Sequence, residues 1–309
     1  MFMKCWWPNL DNERNPLERG PTTRRLGRPR RTAKRTLSIL ARLSGETLAR
    51  WATRAAGWYG ILNVSVRFDR RLNLYLVYDE EIHAFSHPKR LWTLFSGHVV
   101  RGKSLAYQYL LDQIDFTDGD RIIDVGANSG DLALSFRAMQ RKVHIEAFEP
   151  SPGDFTALQQ NLANCSAVIG YNAHQVALWS ENSDGLTFYL KPRKADSSIL
   201  PIEGATGQIK VPGRRLDDIL TSTSVRYRLL KLEAEGAEPE ILQGAENILP
   251  FVDYISVDVG FERGKAALST LPEVTNFLSA RGFKIVGFEA GRYVLLFANE
   301  SLAETQNVL

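Results

Sequence analysis

IIDVGANSGDLAL, residues 122–134, runs from the apolar Ile122 and Ile123 through Asp124 and Val125 into a loop bracketed by Gly126 and Gly130, then into Asp131 and Leu132. Apolar run, tight glycine loop and renewed apolar periodicity in direct succession predict a strand, a turn and a helix. Gly126 permits the turn, and Gly130 lets the loop backbone pass close to a ligand. The loop reads G-A-N-S-G and so departs from the dinucleotide fingerprint G-x-G-x-x-G. Asp124, on the strand just before it, would repel a pyrophosphate but suits a ligand that presents an ammonium group.

The same rhythm continues outward. DLALSFRAM (131–139) and PGDFTALQQNLAN (152–164) predict helices, with the strand VHIEAFEP (143–150) between them. HQVALW (174–179), LTFYLK (186–191) and QIKVPG (208–213) predict further strands, and LDDIL (216–220) a short helix. VDYISVDVG (252–260) predicts a strand, AALSTLPEVTNFLSARG (266–282) a helix, and FKIVGFEA (283–290) with RYVLLFAN (292–299) a closing hairpin. Alternation of this kind implies an α/β fold: a mostly parallel sheet, helices on both faces, and an antiparallel end. Such a sheet binds its ligand at the carboxyl ends of its strands. Glu149, at the end of the second strand, is placed to accept hydrogen bonds from both hydroxyls of a ribose. An acid for an amine (Asp124), an acid for a ribose and a glycine turn between them describe a site for S-adenosylmethionine.

LLKLEAEGAEPEIL (229–242) adds a strand with Lys231, Glu233 and Glu235 at every second position. Period two puts all three on one face. Beside the glycine loop that face borders the cofactor cleft; at a sheet edge it would face water.

DVGANSG (124–130), AFEPSP (147–152), ALQQNL (157–162) and KLEAEGAEPEILQGAENIL (231–249), in this order, resemble the FkbM family of S-adenosylmethionine-dependent methyltransferases. The resemblance spans roughly residues 117–290. It implies a Rossmann-like class I methyltransferase fold and methyl transfer to an oxygen, with family members acting on hydroxyls of sugars, glycolipids and natural products. Asn128 joins Asp124, Gly126, Gly130 and Glu149 as cofactor-binding residues. The family pattern K-I-D-V-E-G stands here as Lys231-Leu232-Glu233-Ala234-Glu235-Gly236, with Glu233 in place of Asp. DSSIL (196–200) resembles the family's Ser-Ser element, which makes Ser197 and Ser198 candidates for lining the acceptor site. VDVGFERG (257–264) resembles the acid-containing strand end found late in the family domain.

Transfer from a sulfonium is an in-line displacement with a neutral leaving group, so alignment is the main task, and a base or metal would activate the hydroxyl. His144 and His174 are read as structural: the first lies within a strand, the second at the start of one. That leaves Glu235 and Asp258 at adjacent strand ends, as base and orienting partner or as joint ligands of a divalent cation. Lys231 lies about 13 Å back along the strand from Glu235. It is named with the catalytic set as the charge that neutralises buried carboxylates. Two other classes compete: an NAD-dependent oxidoreductase, against which the loop and its preceding acid count, and an inactive cofactor-binding module, favoured by Glu233 and by the lack of a catalytic histidine.

The chain has 309 residues, a net charge of +3 and two cysteines, Cys5 and Cys165, which match no metal-ligand spacing. A reducing cytoplasmic setting is the expectation. Neither an apolar run long enough to cross a membrane nor a secretory signal is read. The basic character is concentrated in RRLGRPRRTAKR (24–35). Residues 1–35 are read as a disordered tail, 36–116 as a helical and hairpin extension, 117–299 as the methyltransferase domain and 300–309 as a C-terminal tail. TLSILARLSGETLARWATRAAGWY (36–59) reads as a basic amphipathic helix, which suits either packing on the main domain or contact with an anionic membrane surface. A nucleic-acid partner is not expected, since no stacking platform accompanies the basic run. In the extension, NVSVRF (63–68) and LNLYLVYD (72–79) predict a hairpin and KSLAYQYLLDQI (103–114) a helix, with His83, His87 and His98 read as surface or loop residues rather than metal ligands.

Overall fold

The computed structural model describes residues 45–58, 64–88, 90–91, 97–191, 197–222 and 224–300; the basic run 24–35 and the C-terminal residues 301–309 lie outside them. In chain order, α1 (Gly45–Trp58) precedes an antiparallel meander of β1 (Ser65–Asp69), β2 (Leu74–Asp79) and β3 (Glu81–Phe85), then α2 (His98–Gln108). The larger domain follows: β4 (Arg121–Val125), α3 (Ala133–Met139), β5 (Val143–Phe148), α4 (Pro152–Asn164) and β6 (Val168–His174). Next come β7 (Ala177–Leu178), β8 (Ser183–Leu190), β9 (Gly207–Arg214) and α5 (Leu216–Ile219). The chain closes with β10 (Tyr227–Leu232), α6 (Glu238–Gln243), β11 (Val252–Asp258), β12 (Phe261–Arg263), β13 (Leu268–Ser269), α7 (Leu271–Ser279), β14 (Phe283–Glu289) and β15 (Val294–Asn299).

The central sheet runs β14-β15-β11-β10-β4-β5-β6. β4, β5, β6, β10 and β11 are parallel, and β15 enters antiparallel between β14 and β11. This is the Rossmann-like doubly wound arrangement with an antiparallel end. The middle strands β4 and β10 bury apolar residues on both faces, with Ile122, Ile123, Leu229, Leu230 and Leu232 fully buried, and carry the buried charges Asp124 and Lys231 near their ends. From β4 the chain winds outward through β5 and β6, then returns to β10 on the other side of β4. The crevice at the carboxyl ends of β4 and β10 is therefore the topological switch point, where such sheets bind ligands.

Several sequence expectations are corrected. The strand expected at 174–179 is instead β6, ending at His174, followed by the two-residue β7. β6 is the sheet's outer strand, and its exposed Ile169 and Tyr171 and central Gly170 blur the apolar signal. The helix expected over 103–114 starts at His98 and stops at Gln108, because Leu110 takes a left-handed φ of 57°. The long helix expected over 266–282 is only α7, preceded by the small hairpin of β12 and β13. His83 and His98 are not surface residues: both are buried, and His83 lies on the unpredicted strand β3. Burial, followed by the neighbouring His83, pushes the His98 imidazole down to about 4.

The described part of the amphipathic segment, α1, buries Leu48, Ala49, Ala52, Ala55 and Ala56 in one cluster with Val66, Tyr75 and Val77 of the meander. Within α1 the apolar stripe, apart from the exposed Trp51, packs on protein; residues 36–44 of the segment lie outside the described residues. Among the described residues no helix is long and apolar enough to cross a membrane.

Candidate active site

The two loops that frame the crevice touch. Gly126 has φ 66°, and a Cβ on it would sit 1.8 Å from the Glu233 carbonyl oxygen, so only glycine allows the β4 and β10 loops this contact. Asn128 follows in the left-handed region at φ 49°. Glu149 fixes the loop from the neighbouring strand, its Oε2 accepting the Asn128 N–H at 2.8 Å and its Oε1 the Ser151 N–H at 2.7 Å. Each oxygen keeps a further lone pair. Burial, then the nearby Asp154, pushes the Glu149 carboxyl up to about 8.

Below the loop lies a buried charge cluster. Lys231 is 3% exposed and donates to the carbonyls of Val125 and Gly126, both at 3.0 Å. Its ammonium stands 3.2 Å from Asp124 Oδ1 and 3.5 Å from Glu233 Oε2. The contact with Asp124 is an ion pair without hydrogen-bond alignment, so the 2% exposed Asp124 keeps an Oδ1 that accepts no hydrogen bond. Burial, partly offset by Lys231, raises the Asp124 carboxyl. Burial alone would raise Glu233 too, but Arg292, Lys231 and the Tyr109 hydroxyl hold it well below the usual carboxylate range. Glu233 accepts hydrogen bonds from Tyr109 and from Arg292 Nη2.

The period-two reading of Lys231, Glu233 and Glu235 fails one step past the strand. β10 ends at Leu232, and Glu235 and Gly236 take φ of 52° and 94° to turn the chain into α6. Glu235 still borders the cleft, but from a turn whose carbonyl accepts the Ser198 hydroxyl at 3.1 Å.

One cleft of about 300 Å3 joins these features. Asp124, Gly126, Asn128, Glu149, Lys231, Glu235, Ser197 and Ser198 line it; Gly130 and Asp258 do not. Gly130 instead lets the loop pass α4, where a Cβ would meet Leu158 at 2.9 Å. Asp258, 3% exposed, lies behind the wall with its Oδ2 3.1 Å from Arg292 Nη2 and its Oδ1 accepting Gly260 N–H, so the strand-end acid expected beside Glu235 as base, orienting partner or cation ligand does not line the cleft. The serine hydroxyls serve the loop: Ser197 Oγ accepts the Lys191 N–H and Ser198 Oγ the Leu200 N–H. No histidine lines the cleft among the described residues. His174 closes β6 rather than opening a strand, stacking on Phe148 at 4.7 Å with its Nε2 3.2 Å from Glu146. No three His, Cys, Asp or Glu of the described residues are grouped so as to hold a metal ion.

Tyr109, Arg292 and Glu262 also line the cleft and were missed in the sequence. Tyr109 and Arg292 lie outside the span of the motifs, and only a folded chain brings them to Glu233. Glu262 sits on β12 inside the quoted VDVGFERG, where nothing singles it out from Asp258. Its carboxylate accepts no hydrogen bond from the described residues, and burial followed by Asp258 and Glu233 pushes it up to about 8.

The family model described as the methyltransferase FkbM domain matches residues 124–285, more than half of the chain. The chain belongs to the FkbM methyltransferase family. It is thus a methyltransferase that uses S-adenosylmethionine, and the oxidoreductase alternative falls. Over 197 residues it is 29% identical to Methyltransferase 1 of Beauveria bassiana, covering 56% of this chain and 76% of that one. It is 26% identical over 162 residues to the hexuronic acid methyltransferase AglP of Haloferax volcanii (52% of this chain, 63% of that one). It is 23% identical over 207 residues to the 31-O-demethyl-FK506 methyltransferase FkbM of Streptomyces tacrolimicus (58% and 78%). The FkbM match starts at Asp124 and so leaves out α1, α2 and the meander, although Tyr109, the residue that caps α2, lines the cleft.

Proposed function

We propose that this FkbM methyltransferase transfers the methyl group to a hydroxyl of a sugar, glycolipid or natural product. The observation that carries the reading is Glu262: a cleft carboxyl with no hydrogen bond from the described residues, pushed up to about 8 by burial and then by Asp258 and Glu233. A carboxylate with that pKa is matched to accepting a proton from a hydroxyl as the oxygen attacks. Glu235 lines the same cleft and is the second candidate base or orienting group. The relatives named for a hexuronic acid and for 31-O-demethyl-FK506 support an oxygen acceptor.

The residues fit the cofactor. Glu149 would hold the ribose hydroxyls with its remaining lone pairs. The Asp124 Oδ1 that accepts no hydrogen bond would receive the ammonium group. Bound there, S-adenosylmethionine supplies an electrophilic methyl on a sulfonium. The chain's own part is to align an acceptor oxygen with it, exclude water and take the proton at a carboxylate. Lys231 and Arg292 hold the Glu233 carboxylate charged beside the cleft.

The test is transfer of label from methyl-tritiated S-adenosylmethionine to separated glycan, lipid and small-molecule fractions of the source organism. Label in a hydroxyl-bearing fraction, lost in both Glu262→Gln and Glu235→Gln, is expected. Label confined to amines or to protein would refute the reading.

A further inference from the structure

We propose that Arg101, on α2 and outside the family-matched stretch, binds the carboxylate of the aminoacyl tail of S-adenosylmethionine. The argument begins with charge. The tail is a zwitterion, and its ammonium has Asp124 available. Its carboxylate needs a cation, and a buried or half-buried anion left without one costs several kcal/mol.

The lining cations among the described residues are Arg90, Arg101, Lys231 and Arg292. Lys231 is engaged by two carbonyls and two carboxylates. Arg292 is engaged through both terminal nitrogens, Nη1 to Tyr109 at 3.2 Å and Nη2 to Glu233 and Asp258. Among the described residues Arg101 makes one hydrogen bond, from Nη2 to Asp131 Oδ2 at 3.1 Å, and its buried Nε donates to nothing. A guanidinium held at one nitrogen with a further N–H to give is suited to a planar carboxylate. Arg90 stands 3.8 Å from the same Asp131 oxygen and adds positive potential there.

Position agrees with charge. Arg101, Leu105 and the capping residue Tyr109 recur every four residues, so one face of α2 and its C-terminal cap form a wall of the cleft from the glycine loop to the Glu233 cluster. α2 lies tight against the start of α3, since a Cβ on Gly102 would come 2.1 Å from the Leu134 carbonyl oxygen. Asp131, which orients Arg101, is itself fixed by Ser129 Oγ at 2.7 Å and His83 Nε2 at 3.0 Å. A tail that leaves the ribose at Glu149, follows the loop and gives its ammonium to Asp124 meets α2 with its carboxylate.

The test uses two ligands that differ in the group at issue. S-adenosylhomocysteine carries the aminoacyl carboxylate; 5′-methylthioadenosine lacks it. Both are titrated calorimetrically into the full chain and into Arg101→Gln and Arg101→Lys. Arg101→Gln should weaken S-adenosylhomocysteine by about ten- to a hundredfold and leave methylthioadenosine unchanged within about twofold, with Arg101→Lys recovering part of the loss. Unchanged S-adenosylhomocysteine affinity would overturn the proposal, and so would equal losses for both ligands, which would mean that Arg101 only supports the loop through Asp131. The readout needs no acceptor, so it stands or falls independently of the hydroxyl reading.

Discussion

Replacing Lys231 by methionine separates a buried counter-charge from a catalytic lysine. Methionine keeps the length and apolar stem of the side chain but removes the ammonium. In the folded protein that ammonium is the cation beside Asp124, and it also satisfies the Val125 and Gly126 carbonyls. Breaking one partner out of a buried ion pair costs about 3–5 kcal/mol, which for a domain of this size lowers Tm by roughly 10 °C. The sign with pH follows from Asp124. Its folded carboxyl is already raised by burial, and Lys231 is the partner pulling it back, so the variant raises it further. An acid whose folded pKa exceeds its unfolded value near 3.9 destabilises the fold increasingly as pH rises past that value. The Lys231→Met deficit should therefore be smallest near pH 4, where the loss of the two carbonyl hydrogen bonds remains, and grow toward neutrality, levelling off above the folded pKa. Thermal unfolding of both proteins across that range, followed by circular dichroism, measures it. An unchanged Tm at neutral pH, or a deficit equal at both ends of the range, would refute the reasoning; a stable protein that binds cofactor but transfers no methyl would point to a catalytic Lys231.

Gly126→Ala should keep the sheet but force the β4 and β10 loops apart, because its methyl would fall 1.8 Å from the Glu233 carbonyl at a left-handed φ. Calorimetry should show S-adenosylhomocysteine affinity reduced by at least about tenfold, and wild-type affinity would show that the loop contact is dispensable. Glu149 makes cofactor affinity depend on pH: its carboxyl is pushed up to about 8, and ribose hydroxyls donate to the ionised form. Binding should thus release a proton and strengthen as pH rises through about 8, while Glu149→Gln flattens the profile; titrations in buffers of different ionisation enthalpy count the proton, and a flat wild-type profile would contradict the role.

The fold was legible because its central strands carry strong, consistent patterns. β4 and β5 announce themselves by apolar runs ending in Gly126 and Glu149, and the closing hairpin by two long apolar stretches. β6 was displaced because an outer strand with exposed residues and a central glycine carries little of that signal. In the site, Asp124, Gly126 and Glu149 could be placed because short local motifs fix them near strand ends. Glu235 was misread where a left-handed residue breaks the period of two, an event that the identities Ala234-Glu235-Gly236 do not reveal on their own. Tyr109, Arg101 and Arg292 approach Glu233 and Asp131 across at least 30 positions of sequence, so only packing brings them there.

The contacts of Asn161 carry a consequence for where this protein can be divided. From α4 it donates to the Ser129 carbonyl of the glycine loop and, with the same amide, to the Ala84 carbonyl of β3, while its Oδ1 accepts the Ala84 N–H. One side chain thus joins the cofactor loop to a strand that precedes the stretch recognisable as family. The start of the family match, at Asp124, is therefore not a limit of cooperative folding. A catalytic core excised there would expose the flank of its own cofactor loop, and any transplant or hybrid enzyme built from this chain should carry the meander and α2 with it.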